Sequence, residues 1–297
     1  MLSSFRLIEL HDQLSKGESL EKAEILKKFG IDAKTFQRDI DRLRCYYSEK
    51  ALGDIKYDRQ NNCYRLDSTP NDLSKKEVFA LCKILIESRA FNNQEFTVIV
   101  DKLLKLCQKK DAKQVYQAIN NERVNYLELQ HGKPLIDEIW ELREAISDQH
   151  VIEITYRRAD NKIKHHEVKP VGIVFSEFYF YLLAFQMDET IKYPTVFRID
   201  RIRTVRVTNR TFPIPYRQRF SEAEFKKRVQ FMYSGELKKV RFEFTGILES
   251  LLDKLPTAQI EKEVEGGVIV RVESFGNGIE MWLRSQGDKV KILGKGI

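Results

Sequence analysis

The sequence predicts a multidomain α+β protein in which a helix-rich half precedes a strand-rich half. The chain has 297 residues, which is long for a single domain. Apolar residues recur with helical spacing as far as Ile146, and from Val151 onward they alternate with polar residues as in strands. Charge divides the chain as well, because residues 151–235 carry 16 basic and 9 acidic side chains whereas residues 236–297 carry 10 of each.

Residues 1–66 have the pattern of three helices followed by a β-hairpin. Gly30 follows the second apolar pattern, where glycine suits the left-handed backbone that ends a helix. Asp32 is a candidate N-cap of the third helix. The apolar side chains of that helix, spaced i, i+4, i+7, are Phe36, Ile40 and Leu43. Two alternating segments, 55–58 and 63–66, flank a polar turn and complete a winged helix-turn-helix.

The third helix presents a polar, basic face opposite its apolar face. In a helix-turn-helix this helix enters the major groove, where arginine and lysine bind guanine and glutamine binds adenine. The candidate DNA-binding residues are Lys34, Thr35, Gln37, Arg38 and Arg42 from the helix, with Lys56 and Arg59 from the hairpin. Asp39 is expected to pair with Arg38 or Arg42. An ordinary amphipathic surface helix is the alternative interpretation.

A helical segment separates this module from the strand-rich half. Residues 67–70 form a linker, and Ser74 with Glu77 makes a capping box at the start of the next helix. A second apolar helical pattern covers 94–107, whereas residues 108–133 show no clear pattern. The candidate roles of the segment are packing against a neighbouring domain and dimerisation, which the paired half-sites of helix-turn-helix proteins favour.

The strand-rich half begins after a helix that Pro134 opens, in which Trp140 is expected to lie in the core. Four or five short strands between Ile152 and Val207 predict a small β-barrel. The packing residues are expected to be Phe180, Leu182, Phe197 and Ile199. Guanidinium groups pair with phosphate and aromatic faces stack on bases, so the arginines and aromatic residues of 178–183 and 197–202 suit an anionic, base-bearing ligand. Solvated surface charge is the alternative explanation of the basic excess.

Residues 214–297 predict a linker helix and a small α+β domain. Ser221 and Glu224 cap the linker helix. The expected elements beyond it are a strand at 237–245, a helix at 248–255, and strands at 268–272 and 279–284. Glycines at 276 and 278 predict a hairpin turn between the last two strands, and Trp282 is expected in the core.

Several of these segments resemble the WYL-domain transcriptional regulators of bacteria. The Trp-Tyr-Leu signature of that family corresponds to Phe180-Tyr181-Leu182, in which phenylalanine replaces tryptophan. The family's Phe-Arg-Leu-Asp-Arg-Ile run appears at 197–202, and its Arg-Glu-Val-Glu-Pro-like segment appears at 166–170. Residues 34–43 resemble the DeoR-like recognition helix of these proteins. The resemblance covers nearly the whole chain, in the domain order of the family.

The resemblance implies an Sm- or SH3-like barrel that binds a nucleotide-type or oligonucleotide effector. The effector-binding residues that it implies are Tyr156, His166, Lys169, Tyr181, Arg198 and Arg201. The arginine–aromatic pattern independently favours the two arginines and Tyr181. Three alternatives stay open: His166 in a solvated turn with His165, Lys169 exposed to solvent, and Arg198 in a purely structural pair with Asp200 of a neighbouring chain.

The sequence lacks the common signatures of catalysis, metal binding and membrane insertion. It contains no glycine-rich phosphate loop with a lysine, no HExxH and no GxSxG, so no catalytic residue is assigned and no enzyme is expected. Its four cysteines are widely spaced without a CxxC pair, so neither a metal site nor a disulfide framework is expected, and no cofactor is assigned. No apolar run approaches the ~20 residues of a membrane span, and no signal peptide is evident, which predicts a cytoplasmic protein without a membrane partner.

These features predict a homodimeric transcriptional repressor that binds a double-stranded DNA operator and responds to a nucleotide- or nucleic-acid-type effector. The alternative is an accessory protein that binds single-stranded nucleic acid through the barrel and modulates a partner enzyme. The expected boundaries are 1–66 for the winged helix-turn-helix, 67–130 for the helical linker or dimerisation region, 131–213 for the WYL domain, 214–235 for the linker helix and 236–297 for the α+β extension.

Overall fold

The structure is a computed structural model that describes residues 3–50, 52–68, 73–107, 109–188, 190–214 and 219–296. The chain divides into two compact units, Met1–Arg89 with Asn93–Leu127 and Ala90–Asn92 with Glu128–Ile297. Part of the expected linker, Thr69 and Pro70, lies outside the described residues.

The first unit begins with three helices and a small antiparallel sheet. The elements are α1 (Ser3–Ser15), β1 (Leu20–Glu21), α2 (Lys22–Phe29), α3 (Ala33–Glu49), β2 (Gly53–Asp58) and β3 (Cys63–Ser68). The sheet order is β1-β3-β2, and β2 pairs with β3 as the expected hairpin. Local signals explain the boundaries, because Gly30 adopts φ 60° after α2 and Asp32 accepts a hydrogen bond from the N–H of Thr35 at 2.7 Å.

The core of this module lies between α1, α3 and the sheet. Phe36, Ile40 and Leu43 are buried, as their spacing predicts. Asp39 is also buried, and its main partner is Arg6 of α1, whose Nε lies 2.6 Å from Oδ2. Arg42, one of the two partners expected from the sequence, lies 3.9 Å from the carboxylate. The buried pair therefore joins α1 to α3.

Three helices complete the first unit. They are α4 (Lys75–Ser88), α5 (Asn93–Lys105) and α6 (Lys109–Val124), the last within the segment that had no clear pattern. Ser74 and Glu77 form the expected capping box. The bundle buries Val78, Val100 and Ile119.

The second unit contains a helix, α7 (Ile136–Ser147), and one five-stranded antiparallel sheet. Its strands are β4 (His150–Arg157), β5 (Ile163–Ser176), β6 (Tyr179–Gln186), β7 (Thr195–Arg198) and β8 (Ile202–Thr211), in the order β7-β6-β5-β4-β8. Among the described residues no pairing joins the edge strands β7 and β8, so the expected closed barrel is not observed. Residues 196–202 do not form one continuous strand, because a 3-10 turn at Ile199–Arg201 carries the chain directly from β7 into β8.

The two faces of this sheet pack against different helices. One face buries Ile154, Leu182 and Phe197 against Leu142 of α7. The opposite face packs Leu183 with Phe225 in a second apolar cluster. The expected packing role of Phe180, Leu182, Phe197 and Ile199 agrees with this arrangement, Phe180 being half-buried and the others fully buried.

Trp140 does not lie in the core. Its residue is 59% exposed, and its indole Nε1 donates to Glu144 at 3.0 Å on the outer surface of α7. The helix buries Leu142 and Ala145 instead. The sequence prediction was wrong because it ranked Trp140 by apolar character and not by its position on the helical face.

The last part of the chain forms three helices and a four-stranded antiparallel sheet. The elements are α8 (Glu222–Arg228), β9 (Leu237–Phe244), α9 (Leu248–Lys254), β10 (Gln259–Val264), β11 (Gly267–Phe275), α10 (Gly278–Ser285) and β12 (Val290–Gly296), and the sheet order is β10-β11-β9-β12.

The strand predicted at 279–284 is the helix α10, and the glycines at 276 and 278 lead into it and do not form a hairpin turn. The spacing of Ile279, Trp282 and Leu283, all buried, places them on one helical face. Trp282 lies in the core as expected.

Candidate functional site

The outer face of α3 carries two exposed basic side chains, Lys34 and Arg38. Lys34 and Arg38 are exposed, and among the described residues neither side chain makes a hydrogen bond or an ion pair. They are one turn apart, so they project from the same face of the helix. Both cations are therefore open to an anionic partner at the N-terminal end of α3.

The other α3 candidates are engaged within the protein. The Nε2 atom of Gln37 donates to Asp41 at 3.0 Å, and its Oε1 accepts from the hydroxyl of Tyr64 on β3 at 3.0 Å. Thr35 is half-buried and serves the N-cap, and its hydrogen bonds are the main reason that the pKa of Asp32 is lowered. Arg42 is largely exposed and lies beside the buried carboxylate of Asp39. The structure thus fixes the orientation of Gln37 relative to the hairpin.

The hairpin contributes two basic residues of different kinds. Arg59 lies exposed in the turn between β2 and β3, and no ion pair of its side chain is found among the residues that the structure describes. Lys56 forms an ion pair with Asp67 across the hairpin. Arg59 is accordingly the more available cation for a phosphate.

A second arginine site lies on β6 and β7. Arg198 forms a bidentate pair with Asp200, its Nε 3.0 Å from Oδ1 and its Nη2 2.8 Å from Oδ2. The guanidinium carbon lies 3.4 Å from the ring centroid of Tyr179. The Asp200 side chain is only 3% exposed, whereas that of Arg198 is 21% exposed. The Arg198 cluster, namely Tyr179, Tyr181, Arg198 and Asp200, therefore presents a fixed cation beside aromatic rings.

The electrostatics of this cluster keep Arg198 charged and Tyr181 neutral. Burial acts to lower the pKa of Arg198, but the hydrogen bonds and charge of Asp200 outweigh it, so the pKa is raised. Burial raises the pKa of Tyr181 from 10.0 to about 12, against an opposing effect of Arg198. Tyr181 pairs with Arg198 across β6 and β7. The cluster can thus offer guanidinium and phenol N–H and O–H donors to an anion at neutral pH.

The structure does not bring all six expected effector residues into one site. Tyr156 and His166 contact Phe197, which faces the core, with ring centroids 5.1 Å from it in each case. The hydroxyl of Tyr156 accepts a hydrogen bond from the backbone N–H of Arg198 at 3.3 Å. Burial, followed by the charge of Lys164, lowers the pKa of His166. Tyr156 and His166 therefore pack against β7 through Phe197 and do not belong to the Arg198 cluster.

Of the remaining two candidates, Lys169 lies away from Arg198 along the sheet. In the register of the sheet, Lys169 on β5 lies opposite Phe185 on β6, and Arg198 on β7 lies opposite Tyr181 on β6. Because Phe185 and Tyr181 are four residues apart on β6, Lys169 and Arg198 are separated by roughly 13 Å along the strand direction. Arg201 is half-buried in the 3-10 turn, and its side chain makes no hydrogen bond or ion pair within the described ranges.

Sequence reasoning missed three residues that shape these sites. Tyr179 stacks on Arg198, and its alternation with Tyr181 on one strand could have indicated it. Asp200 was considered only as the partner of an arginine from another chain, but it pairs with Arg198 of its own chain. Arg6 holds Asp39 from 33 residues away, and no local pattern signals that contact.

Metal binding and membrane insertion have no matching feature in the described part of the chain. No group of three or more histidine, cysteine, aspartate and glutamate side chains there could hold a metal ion. No helix there is both long enough and apolar enough to cross a bilayer.

Most of the five-stranded sheet and of the helix before it matches a known protein family. Residues 139–207 match the family model of the WYL domain. The match includes Tyr181, Arg198 and Asp200. The chain therefore carries a WYL domain, which confirms the resemblance for this part of the sequence. No curated protein sequence matches the chain significantly.

Two solved structures show remote similarity over most of the chain. Proteasome accessory factor B/C of Arthrobacter aurescens is 16% identical with a TM-score of 0.33, over 98% of this chain and 45% of that chain. A CRISPR Cas-related protein is 15% identical with a TM-score of 0.37, over 90% of this chain and 70% of that chain. The chain thus spans less than half the length of the first. At these values neither similarity assigns an activity or a partner.

Proposed function

We propose that this protein is a homodimeric, sequence-specific DNA-binding transcriptional repressor whose WYL domain binds a nucleotide- or oligonucleotide-type effector. Residues 1–66 act as a winged helix-turn-helix, in which α3 enters the major groove and the β2–β3 hairpin contacts the backbone. The Arg198 cluster receives the anionic effector. Effector binding shifts the dimer between states that bind and do not bind the operator.

The observation that carries the proposal is the pair Lys34 and Arg38 at the N-terminal end of α3. An exposed pair of cations with no hydrogen bond or ion pair among the described residues is suited to anions, and in helix-turn-helix proteins this end of the helix approaches base edges. Gln37, fixed by Asp41 and Tyr64, keeps one amide N–H for an acceptor such as adenine N7. Arg59 adds a backbone contact from the hairpin.

Effector binding is supported by the Arg198 cluster. Asp200 uses two N–H groups of the guanidinium, which leaves three for a ligand. Tyr179 covers one face of the guanidinium, and an exposed aromatic ring, Phe178, lies beside Tyr179 with ring centroids 6.4 Å apart. A phosphate with an adjacent base satisfies both the donors and the rings.

Dimerisation is supported by exposed apolar side chains on the α4–α6 helices. Ile84 is 68% exposed and Val124 is 72% exposed. Residues 1–66 carry 13 basic and 11 acidic side chains, a small excess for DNA binding that a dimer doubles. Two-fold symmetry also matches the paired half-sites that such modules recognise.

Salt-dependent binding of duplex DNA tests the assignment of α3. Fluorescence anisotropy on a random duplex is expected to show that Lys34→Ala and Arg38→Ala each weaken binding and reduce the slope of log K against log salt by about one. Lys102→Ala, which removes an exposed charge from α5, is the matched control and is expected to leave the slope unchanged. Equal slopes for all four proteins would remove α3 as the DNA-binding element.

The accessory single-strand-binding function remains the second candidate, because the stacked Tyr179–Arg198 pair suits any single-stranded nucleic acid. Competition between duplex DNA and a single-stranded oligonucleotide for the full chain distinguishes the two proposed functions. In a repressor, Arg198→Ala keeps duplex operator binding and loses release by a single-stranded oligonucleotide. In an accessory protein, Arg198→Ala loses single-strand binding, and no duplex sequence is preferred by the wild-type chain.

A further inference from the structure

A cavity of about 430 Å³ lies in the second unit. Its walls are the β5–β6 turn, α8, the segment 229–232 and the end of α9. A cavity of this size falls in the range of small-molecule sites. The Arg198 cluster contributes no residue to the lining.

The interior of the cavity contains a buried amide. Gln230 is 4% exposed and lines the cavity. Its Nε2 donates to the carbonyl oxygen of Lys254 at a long 3.4 Å. No donor among the described residues reaches its Oε1 atom. An acceptor that no protein donor reaches is open to a ligand N–H or O–H group.

The backbone around this amide is held in an unusual conformation. Phe231 and Met232, which follow Gln230, both have left-handed backbones, with φ 51° and 54°. Neither is glycine, so each position is strained. The carbonyl of Gln230 packs against Gly278 so closely that a Cβ at 278 would overlap it. Surrounding structure thus fixes the backbone at Gln230.

The rim of the cavity is charged with an excess of ammonium groups. Lys226, Lys227 and Lys254 face two carboxylates, Glu177 and Asp253.

These lysines differ in how fully they are engaged. Lys226 donates to the carbonyl of Phe175 at 3.0 Å, and Lys227 pairs with Glu224 at 2.5 Å. Lys254 has no ion pair in the described part of the chain, and its Nζ lies 5.6 Å from the ring centroid of Phe231. Lys254 is therefore the cation best placed for an added anion.

The floor between amide and rim is apolar. It is formed by Val229, Phe231, Met232 and Pro256. An apolar floor with a few fixed polar groups is the usual composition of a small-molecule site.

We propose that this cavity binds a small organic monoester phosphate that carries an apolar ring and an N–H donor. The phosphate pairs with Lys254 at the rim, the ring lies on Phe231 and Met232, and the N–H group donates to Gln230 Oε1. The site is separate from the Arg198 cluster and does not depend on DNA binding.

Three matched probes test this arrangement by isothermal titration calorimetry on the full chain: 4-aminophenyl phosphate, phenyl phosphate and aniline. The amine adds one hydrogen bond to an acceptor that no protein donor reaches, so 4-aminophenyl phosphate is expected to bind about fivefold more tightly than phenyl phosphate. Aniline lacks the anion and is expected to bind at least about tenfold more weakly than the aminophenyl ester.

Variants locate the binding. Gln230→Leu is expected to abolish the preference for the amine while phenyl phosphate still binds, and Gln230→Met serves if the leucine variant does not fold. Lys254→Met is expected to weaken the binding of both phosphates, whereas Lys239→Met, at an exposed position of β9, leaves it unchanged. Absence of saturable binding of both phosphates up to about 10 mM, or binding that Arg198→Ala removes and Gln230→Leu does not affect, would overturn the proposal.

Discussion

Individual residues in this protein act mainly through partners that are distant in sequence. Arg6 and Asp39 form the strongest case, with side chains 8% and 1% exposed and 2.6 Å apart. Removal of one member of a buried ion pair leaves the other charge buried without compensation.

Asp39→Ala is therefore expected to lower the free energy of unfolding by about 3–5 kcal/mol, measured by urea denaturation. The control is Asp12→Ala, because Asp12 forms an exposed i,i+4 pair with Lys16. Its expected cost is about 0.3–0.5 kcal/mol. Similar costs for the two variants would contradict the role given to the buried pair.

Tyr181 provides a residue-scale prediction about pH. Its folded pKa of about 12 exceeds its ordinary value of 10.0, so the fold favours the neutral phenol. The stability that this preference contributes is complete below pH 10 and is lost as pH rises toward 12. Tyr181→Phe is expected to lose less stability than wild type over that window, whereas Tyr233→Phe, at an exposed tyrosine, behaves like wild type. If the free energy of unfolding falls equally with pH between 10 and 12 in wild type and Tyr181→Phe, this phenol is not shielded from solvent by the fold.

At the scale of elements, helices with local signals were predictable. The turn at Gly30, the cap at Asp32 and the spacing of Phe36, Ile40 and Leu43 are all local, and α3 forms where they indicate. The capping box at Ser74 and Glu77 similarly marks the start of α4. These signals act within one turn of helix, so neighbouring segments do not override them.

Elements whose form depends on packing were not predictable in the same way. The segment 279–284 is short, and its apolar residues fit both a strand and one helical face. Contacts with the segment 229–232 favour the helix, because α10 begins where Gly278 meets the carbonyl of Gln230. The Arg198 cluster shows the same limit, since the pattern indicated its arginine and Tyr181 but the partners followed only from the fold.

Gly278→Ala tests this account of α10. The added methyl group overlaps the Gln230 carbonyl, so a loss of about 1–3 kcal/mol in the free energy of unfolding is expected, measured by urea denaturation. Met281→Ala, at an exposed position of the same helix, is the control and is expected to change stability by no more than about 0.5 kcal/mol. A neutral Gly278→Ala variant would mean that this contact does not position the helix.

At the scale of the whole molecule, the proposed DNA-binding and effector-binding residues lie in different compact units. Lys34 and Arg38 belong to the first unit, and the Arg198 cluster belongs to the second. Regulation therefore requires that effector affinity differ between the two DNA-binding states. For a tenfold release of the operator, that difference must be about 1.4 kcal/mol.

The proposed regulation depends on sequence-specific recognition of duplex DNA through α3. The most direct measurement is selection of genomic DNA fragments by the purified protein at about 150 mM salt, where weak contacts to phosphates alone are screened. Wild type is expected to enrich a small set of fragments that share an inverted repeat, and Arg38→Ala is expected to enrich none. Enrichment of no duplex by wild type, or of the same fragments by Arg38→Ala, would contradict the claim.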